Sequence, residues 1–473
     1  MTLPSSTLAF YDKATLLANL PDMPSASDSQ EPYDSYVNAT SKGNDQGSTK
    51  RLDLIRWYNA IRHADTSTPF RDFNGSAKVY AEAPNFTEGQ YRIGILSKAY
   101  AENHLDYYNF LRALFGGQRV YMSGYKQVGA QASSFSELNG GHDPKIEDAA
   151  KRGFSAELFA AIWAARRTSN LQGGRVDRDA DFYANTTQLA RHGSLTSVWN
   201  EGEWPNIAGL GHRSVFMYAP GRDIGAGLVK GYHTWMSWGA EPKRNDGNLL
   251  GGDEQKRIYD SYPAGRMQNG VHVWPSHGYF PFFALRGRNQ SWGMKLYSGD
   301  VSAPSRDEAV TLRMEYFVHE QDGDLSTLST PVASLEVSDI RGSGQNAGGK
   351  GAINSQGVFD YEGPDWVVPK AEAAFGGGYH FTLDGASFPT QFRMPQGWYD
   401  QMAADFSTAD RPKYHTVRYT FTSNSGGLQV KRPFYMNPTI GTPLVVQTTF
   451  FDQQKHTEAT PPPVTSPASP ETP

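Results

Sequence analysis

Two histidines stand where their neighbours could support chemistry. His212 lies in "NIAGLGHRSVFMYAPGRDIGAG" (206–227), and His142 lies in "NGGHDP" (139–144). A neutral imidazole is both a general base and a metal ligand. A single histidine is more often a hydrogen-bonded structural residue, so each of these needs partners. Ser136 precedes His142 by six residues and Ser214 follows His212 by two, but neither serine sits in a nucleophile elbow. "GAGLVKG" (225–231) is glycine-rich, yet no strand–turn–helix frame surrounds it and its lysine is out of register for a phosphate loop. "DRDADF" (177–182) is half of a calcium loop without the later glutamate, and reads as a solvated acidic loop. Cysteine is absent, which excludes disulfides and thiolate sites. A third histidine, His277, lies in "VWPSHGYFP" (273–281), bracketed by Trp-Pro and Phe-Pro pairs that read as a loop packed over the core.

Helices and strands must hold these residues in place. "SKAYAENHLDYYNFLRALFGG" (97–117) has Leu105, Tyr108, Leu111 and Phe115 on one stripe, with Ser97 as N-cap and Gly116 closing the end. Further helices are expected over 51–64, 125–141, 155–170 and 183–200, the last broken near Gly193. Strand-like runs cover 212–218, 224–238 and 291–299. After residue 301 the pattern alternates apolar and polar at 309–320, 333–340, 416–423 and 444–451, which points to an all-β module. The polar stretch 22–50 reads as a flexible leader, and "TEATPPPVTSPASPETP" (457–473) as a disordered, extended tail.

The 473 residues exceed one ordinary domain, and 38% apolar content allows sizeable cores. The net charge of −5, with no basic block, argues against nucleic acid or an anionic membrane as the main partner. No stretch has the roughly 18 apolar residues of a membrane span. The first twenty residues lack a basic start and a continuous apolar run, so no signal peptide is readable.

Six blocks occur in a telling order: "NFLRALFG" (109–116), "GHDP" (141–144), "SNLQGG" (169–174), "WNEGEWPNIAGLGHR" (199–213), "VWPSHGYFP" (273–281) and "SWGMKLYSG" (291–299). Over roughly residues 52 to 300 the chain resembles the CAP superfamily (cysteine-rich secretory, antigen-5, pathogenesis-related type 1) in its bacterial form. The resemblance implies a three-layer α-β-α sandwich exported to the cell exterior, with a cleft of two histidines and two acids. Carried over by block, His142 is the first histidine and His212 the second. One acid position falls at Ser169 or Asn170, where no carboxylate remains. The other falls near Asn200 or Glu201, and only Glu201 is acidic. His277 stands where the family has a small residue, which makes it a further cleft candidate beside the packed-loop reading. Two imidazoles and one carboxylate can hold a divalent metal such as Zn²⁺ with a position left for water. Loss of the second carboxylate weakens that hold.

The expected architecture is therefore α/β, a CAP-like α-β-α sandwich, followed by a β-sandwich-like C-terminal module. The divisions are a leader at 1–50, the CAP-like domain at 51–300, the β-rich module at 301–456 and the tail at 457–473. The expected function is binding or assembly at the cell surface, with a surface polymer, lipid or protein as ligand. Two alternatives stand beside it: a metal-assisted hydrolase using His142, His212 and Glu201, and a secreted lipid- or sterol-binding protein.

Overall fold

A computed structural model of the chain describes residues 3, 9–22, 54–55, 79–114, 120–136, 143–173, 216, 223–229, 232–237, 270–275, 278–285, 292–297, 301–302, 310–320, 328–337, 350–353, 359–362, 382–383, 386–387, 391–392, 394–423, 429–430, 444–452 and 454–456. The N-terminal elements are α1 (Lys13–Asn19), β1 (Tyr80–Glu82), β2 (Ile95–Leu96), α2 (Lys98–Leu114), β3 (Tyr121–Met122), α3 (Gly124–Ser136), α4 (Ile146–Lys151) and α5 (Ala156–Arg166). Strands follow: β4 (Ser169–Gly173), β5 (Asp223–Val229), β6 (Tyr232–Met236), β7 (Gly270–Trp274), β8 (Gly278–Pro281), β9 (Trp292–Tyr297), β10 (Val301–Ser302), β11 (Val310–His319) and β12 (Ala333–Val337). The chain continues through β13 (Lys350–Ile353), β14 (Phe359–Glu362), β15 (Thr382–Leu383), β16 (Ala386–Ser387), β17 (Gln391–Phe392), α6 (Gln396–Thr408), β18 (Tyr414–Ser423), β19 (Gln429–Val430) and β20 (Leu444–Phe451). Helices with mixed and antiparallel sheets make this an α/β protein. No described helix is long and apolar enough to cross a membrane.

The first sheet has the order β3-β5-β6-β4. Ser97 caps α2: its hydroxyl accepts the Tyr100 amide at 3.3 Å and its carbonyl accepts that of Ala101. The helix then lays Leu105, Tyr108 and Leu111 into a core with Ile224, Ala226 and Trp235. The alternate strand residues Val229 and Met236 pack instead with Val128 and Ala132 of α3. Side chains alternate along a strand, so α2 and α3 cover opposite faces of this sheet.

All of α3 is buried, and two features of β5 make that possible. A Cβ at Gly225 would stand 2.0 Å from the Lys126 carbonyl oxygen, and one at Gly227 2.1 Å from that of Ala130. Only glycine lets helix and strand backbones come so close. The second feature concerns hydrogen bonds. On one edge of β5, β3 pairs only with Asp223 and Ile224. Two glutamines one turn apart on α3 then stand in for a strand. Gln127 donates to the Ala226 carbonyl at 2.6 Å and accepts the Ala226 amide at 3.0 Å. Gln131 does the same for Leu228, at 3.2 and 3.1 Å. Each of these buried backbone groups would otherwise cost about 1–3 kcal/mol.

The second sheet has the order β12-β11-β18-β20-β8. Its first four strands are antiparallel neighbours from the C-terminal part. The fifth, β8, joins parallel to β20, with Gly278 to Pro281 against Thr448 to Phe451. β9 likewise pairs with β17. One apolar core joins Leu105, Trp235 and Phe280 to Leu312, Tyr419 and Phe450. Hydrogen bonding and packing both run across position 300, where the module boundary is expected. α6 covers this sheet with Trp398, Met402 and Phe406, buried at every fourth residue.

Expected and observed elements agree at α2, α3, α5, β9, β11, β12, β18 and β20. The expected strand 224–238 is a hairpin, β5 and β6, paired from Gly225 with Met236 to Val229 with Tyr232. The expected helix 155–170 ends at Arg166, and Ser169 and Asn170 open β4 instead. These two residues are poor helix formers, and β6 supplies their backbone partners. The expected helix 183–200 lies outside the described residues, as do the leader from residue 23 and the tail.

Candidate functional site

Four of the residues singled out in the sequence, His142, Glu201, His212 and His277, lie outside the described residues. Ser169 and Asn170 are described, and they differ. Adjacent on β4, they point to opposite faces of the first sheet. Ser169 pairs with Met236 and faces α3. Its hydroxyl is buried and has no hydrogen-bond partner among the described residues. Asn170 pairs with Trp235 and faces α2, and is 2% exposed. The two positions therefore cannot serve one cleft together.

The face of Asn170 carries groups that the sequence did not mark. Trp235 lies opposite both Asn170 and Ala226, and His233 follows it two residues away on the same side. From α2, His104 accepts the Trp235 indole N–H at Nε2, at 2.7 Å. That bond makes Nδ1 the protonated nitrogen of a neutral His104. The Tyr100 and Trp235 rings lie nearly parallel to His104, with centroids at 6.3 and 6.2 Å. His233 is pushed down to about 3, first by burial and then by His104. Both imidazoles are thus neutral at pH 7. Indole, amide and two neutral rings can donate and accept hydrogen bonds, but they bring no negative charge.

The opposite face holds hydroxyls and one ion pair. Ser134 donates to Thr234 at 3.0 Å, and Thr234 donates to Ser133 at 3.1 Å. Lys126 in the first turn of α3 stands 2.8 Å from the Asp223 carboxylate, with both side chains almost fully buried. Such a pair positions α3 on β5. Breaking it from one side would strand the other charge.

A second gathering of titratable groups lies under α6. Tyr316 of β11 donates to His415 Nδ1 at 2.6 Å, and His415 Nε2 meets the Asp405 carboxylate of α6 at 3.0 Å. The order hydroxyl, imidazole, carboxylate is that of an activated nucleophile. Here the hydroxyl is fully buried beneath Trp398, whose ring stacks on Tyr316 at 5.1 Å, so no substrate reaches it.

Among the described residues no three His, Asp or Glu side chains converge on a point that could hold an ion. The neutral set around Asn170 does not fit a hard divalent cation, which needs anionic oxygen ligands. The signal for this set was present in the chain. His233 and Trp235 alternate in "YHTWM", which places both on one strand face. What the sequence lacked was the partner, since His104 is far away on α2. No family model, no curated protein and no solved structure matches the chain, so the chemistry of this face rests on its own geometry.

Proposed function

We propose that the chain is a CAP-like binding protein of the cell exterior, which holds a surface ligand and does not turn it over. In this reading residues 51–300 form a CAP-type α-β-α sandwich, and the β-rich module of 301–456 is docked on it through the β8–β20 pairing. The observation that carries the reading is Asn170. Where the resemblance implies a carboxylate, the chain has a buried amide facing Trp235, beside a neutral His104 and a neutral His233. These groups lie buried under α2, so what they contribute to the reading is the lack of negative charge rather than a contact with the ligand. That lack gives little support to a metal-bound hydroxide, which needs a firmly held cation.

The test is a paired measurement on the full chain. Calorimetric titration with Zn²⁺ is expected to show weak binding or none. Peptide, ester and glycan substrates are expected to stay intact with or without Zn²⁺ or Mg²⁺. Retention on an immobilised polysaccharide is expected to persist in the presence of a chelator. Turnover that His212→Ala abolishes, at metal concentrations saturating the wild type, would overturn the proposal in favour of the metal-assisted hydrolase.

A further inference from the structure

Among the described residues, the Tyr316–His415–Asp405 chain is a buried, hydrogen-bonded titratable group that the proposed function leaves unused. We propose that His415 is an acid-operated latch, which holds α6 on the second sheet near neutral pH and releases its apolar face as the solution turns acidic.

The latch follows from counting donors and acceptors. Asp405 is a carboxylate and accepts only, so His415 Nε2 carries the proton facing it. His415 Nδ1 is then the acceptor, and the Tyr316 hydroxyl donates to it at 2.6 Å. Every partner is satisfied when His415 is neutral. A second proton would sit on Nδ1 and meet the Tyr316 O–H head on. Tyr316 would have to turn its hydrogen away. It is fully buried, and among the described residues its hydroxyl has no other partner. Protonation therefore orphans a buried donor.

The surroundings push the same way, with one exception. Burial is the largest influence and lowers the His415 pKa from 6.5. From α6, Asp405 opposes it by stabilising the imidazolium. From β11, His319 disfavours a second positive charge, and His456 of the segment after β20 does the same. His319 is hydrogen-bonded to Thr416, and His456 to the Pro412 carbonyl. Other cations on these elements are engaged elsewhere: Lys413 pairs with Glu320, Lys455 binds the Ser407 and Ala409 carbonyls, Arg418 bonds Gln447 and the Leu328 carbonyl, and Arg313 pairs with Glu315. A folded pKa below 6.5 gives docking stability that is full above pH 6.5. It is lost as pH falls from 6.5 towards the folded value.

The Phe406 ring meets His415 edge-on at 5.1 Å, so a displaced His415 loosens the end of α6 that also carries Asp405. Trp398, stacked on Tyr316, reports the other end.

Hydrogen exchange of residues 396–408 in the full chain tests this, after correction for the intrinsic pH dependence of exchange. Wild-type exchange is expected to speed up about tenfold or more between pH 7 and pH 5, with a matching change in Trp398 emission. His415→Gln keeps a donor and an acceptor but cannot titrate, and is expected to flatten the profile. Asp405→Asn lowers the folded His415 pKa further, and is expected to enlarge the acceleration and extend it to lower pH with its onset near pH 6.5 unmoved. A flat wild-type profile, or equal acceleration in His415→Gln, would overturn the proposal. Where that variant does not fold, an NMR titration of the wild-type imidazole decides: a His415 pKa at or above 6.5 sinks the latch, and one below it supports it.

Discussion

Two strands of this protein begin with the same three residues and put them to different use. Tyr232-His233-Thr234 opens β6, and Tyr414-His415-Thr416 opens β18. In both, the histidine is buried and a helix covers it. Under α2, burial and a second imidazole, His104, both disfavour a proton on His233. Under α6, His415 has the Asp405 carboxylate at 3.0 Å. The first ring is fixed as neutral over the whole working range of pH. The second is held neutral by a balance between burial and a carboxylate. A shared tripeptide thus gives an inert residue or a responsive one, according to the residue the covering helix brings.

The two regions also distribute charge differently, which double mutants can expose. At the first sheet the ion pair Lys126–Asp223 lies on the α3 face, away from His233. Lys126→Met leaves the Asp223 carboxylate buried alone and is expected to cost about 3–5 kcal/mol in urea unfolding. Combined with a His233→Leu change, its effect is expected to add, because the two sites share no partner. At the second sheet Tyr316→Phe and Asp405→Asn act on one hydrogen-bonded chain. Their combined cost is expected to fall short of the sum.

Acid separates the regions next. His233 has a folded value of about 3 against an ordinary 6.5. The stability tied to it is complete above pH 6.5 and is lost on the way down. Between pH 7 and pH 4 the wild type is expected to lose about 3 kcal/mol more than His233→Leu does, by the linkage of one unit to 1.36 kcal/mol. Equal losses would show that His233 is not the buried neutral group described. Tyr316→Phe is a smaller change. It removes the donor to His415 and is expected to cost about 2 kcal/mol at pH 7.

The smallest expected effect on stability is at the surface. Trp163 on α5 is 44% exposed, with the Arg167 guanidinium 4.7 Å above its ring. Trp163→Ala is expected to shift unfolding by no more than about 0.5 kcal/mol. If this aromatic contributes to ligand capture, retention on a polysaccharide column falls while the melting curve stays put. Unchanged retention would remove Trp163 from the binding surface.

The sequence announced α2, α3 and α5 but not α1, α4 or α6, and at α2 and α5 the signal is a local cap. Ser97 and Ser155 are caps whose hydroxyls accept amides three residues on. α6 carries a comparable stripe in Trp398, Met402 and Phe406 that the sequence reading passed over, at a start where Pro395 and Gly397 are turn formers. β4 and β8 were not legible as strands. "SNLQG" has no apolar alternation, and "GYFP" is four residues with a terminal proline. Both form because a distant strand offers its edge. The same limit applies to the site. Spacing could suggest that His233 and Trp235 share a face, but only the fold brings His104 to them. Ser169 and Asn170 were alternatives in the sequence, and the pleat decides that Asn170 alone shares that face.

The pairing of β8 with β20 carries a consequence for synthesis. Gly278 and Thr448 are neighbours in the sheet but about 170 residues apart in the chain. At roughly 5–20 residues per second, β8 leaves the ribosome roughly 10–30 s before its partner. During that interval "GYFP" presents an unfinished backbone ladder and an aromatic face without its mate. The growing chain must shield that edge, through its own neighbours or a chaperone, until the last strand arrives to close the sheet.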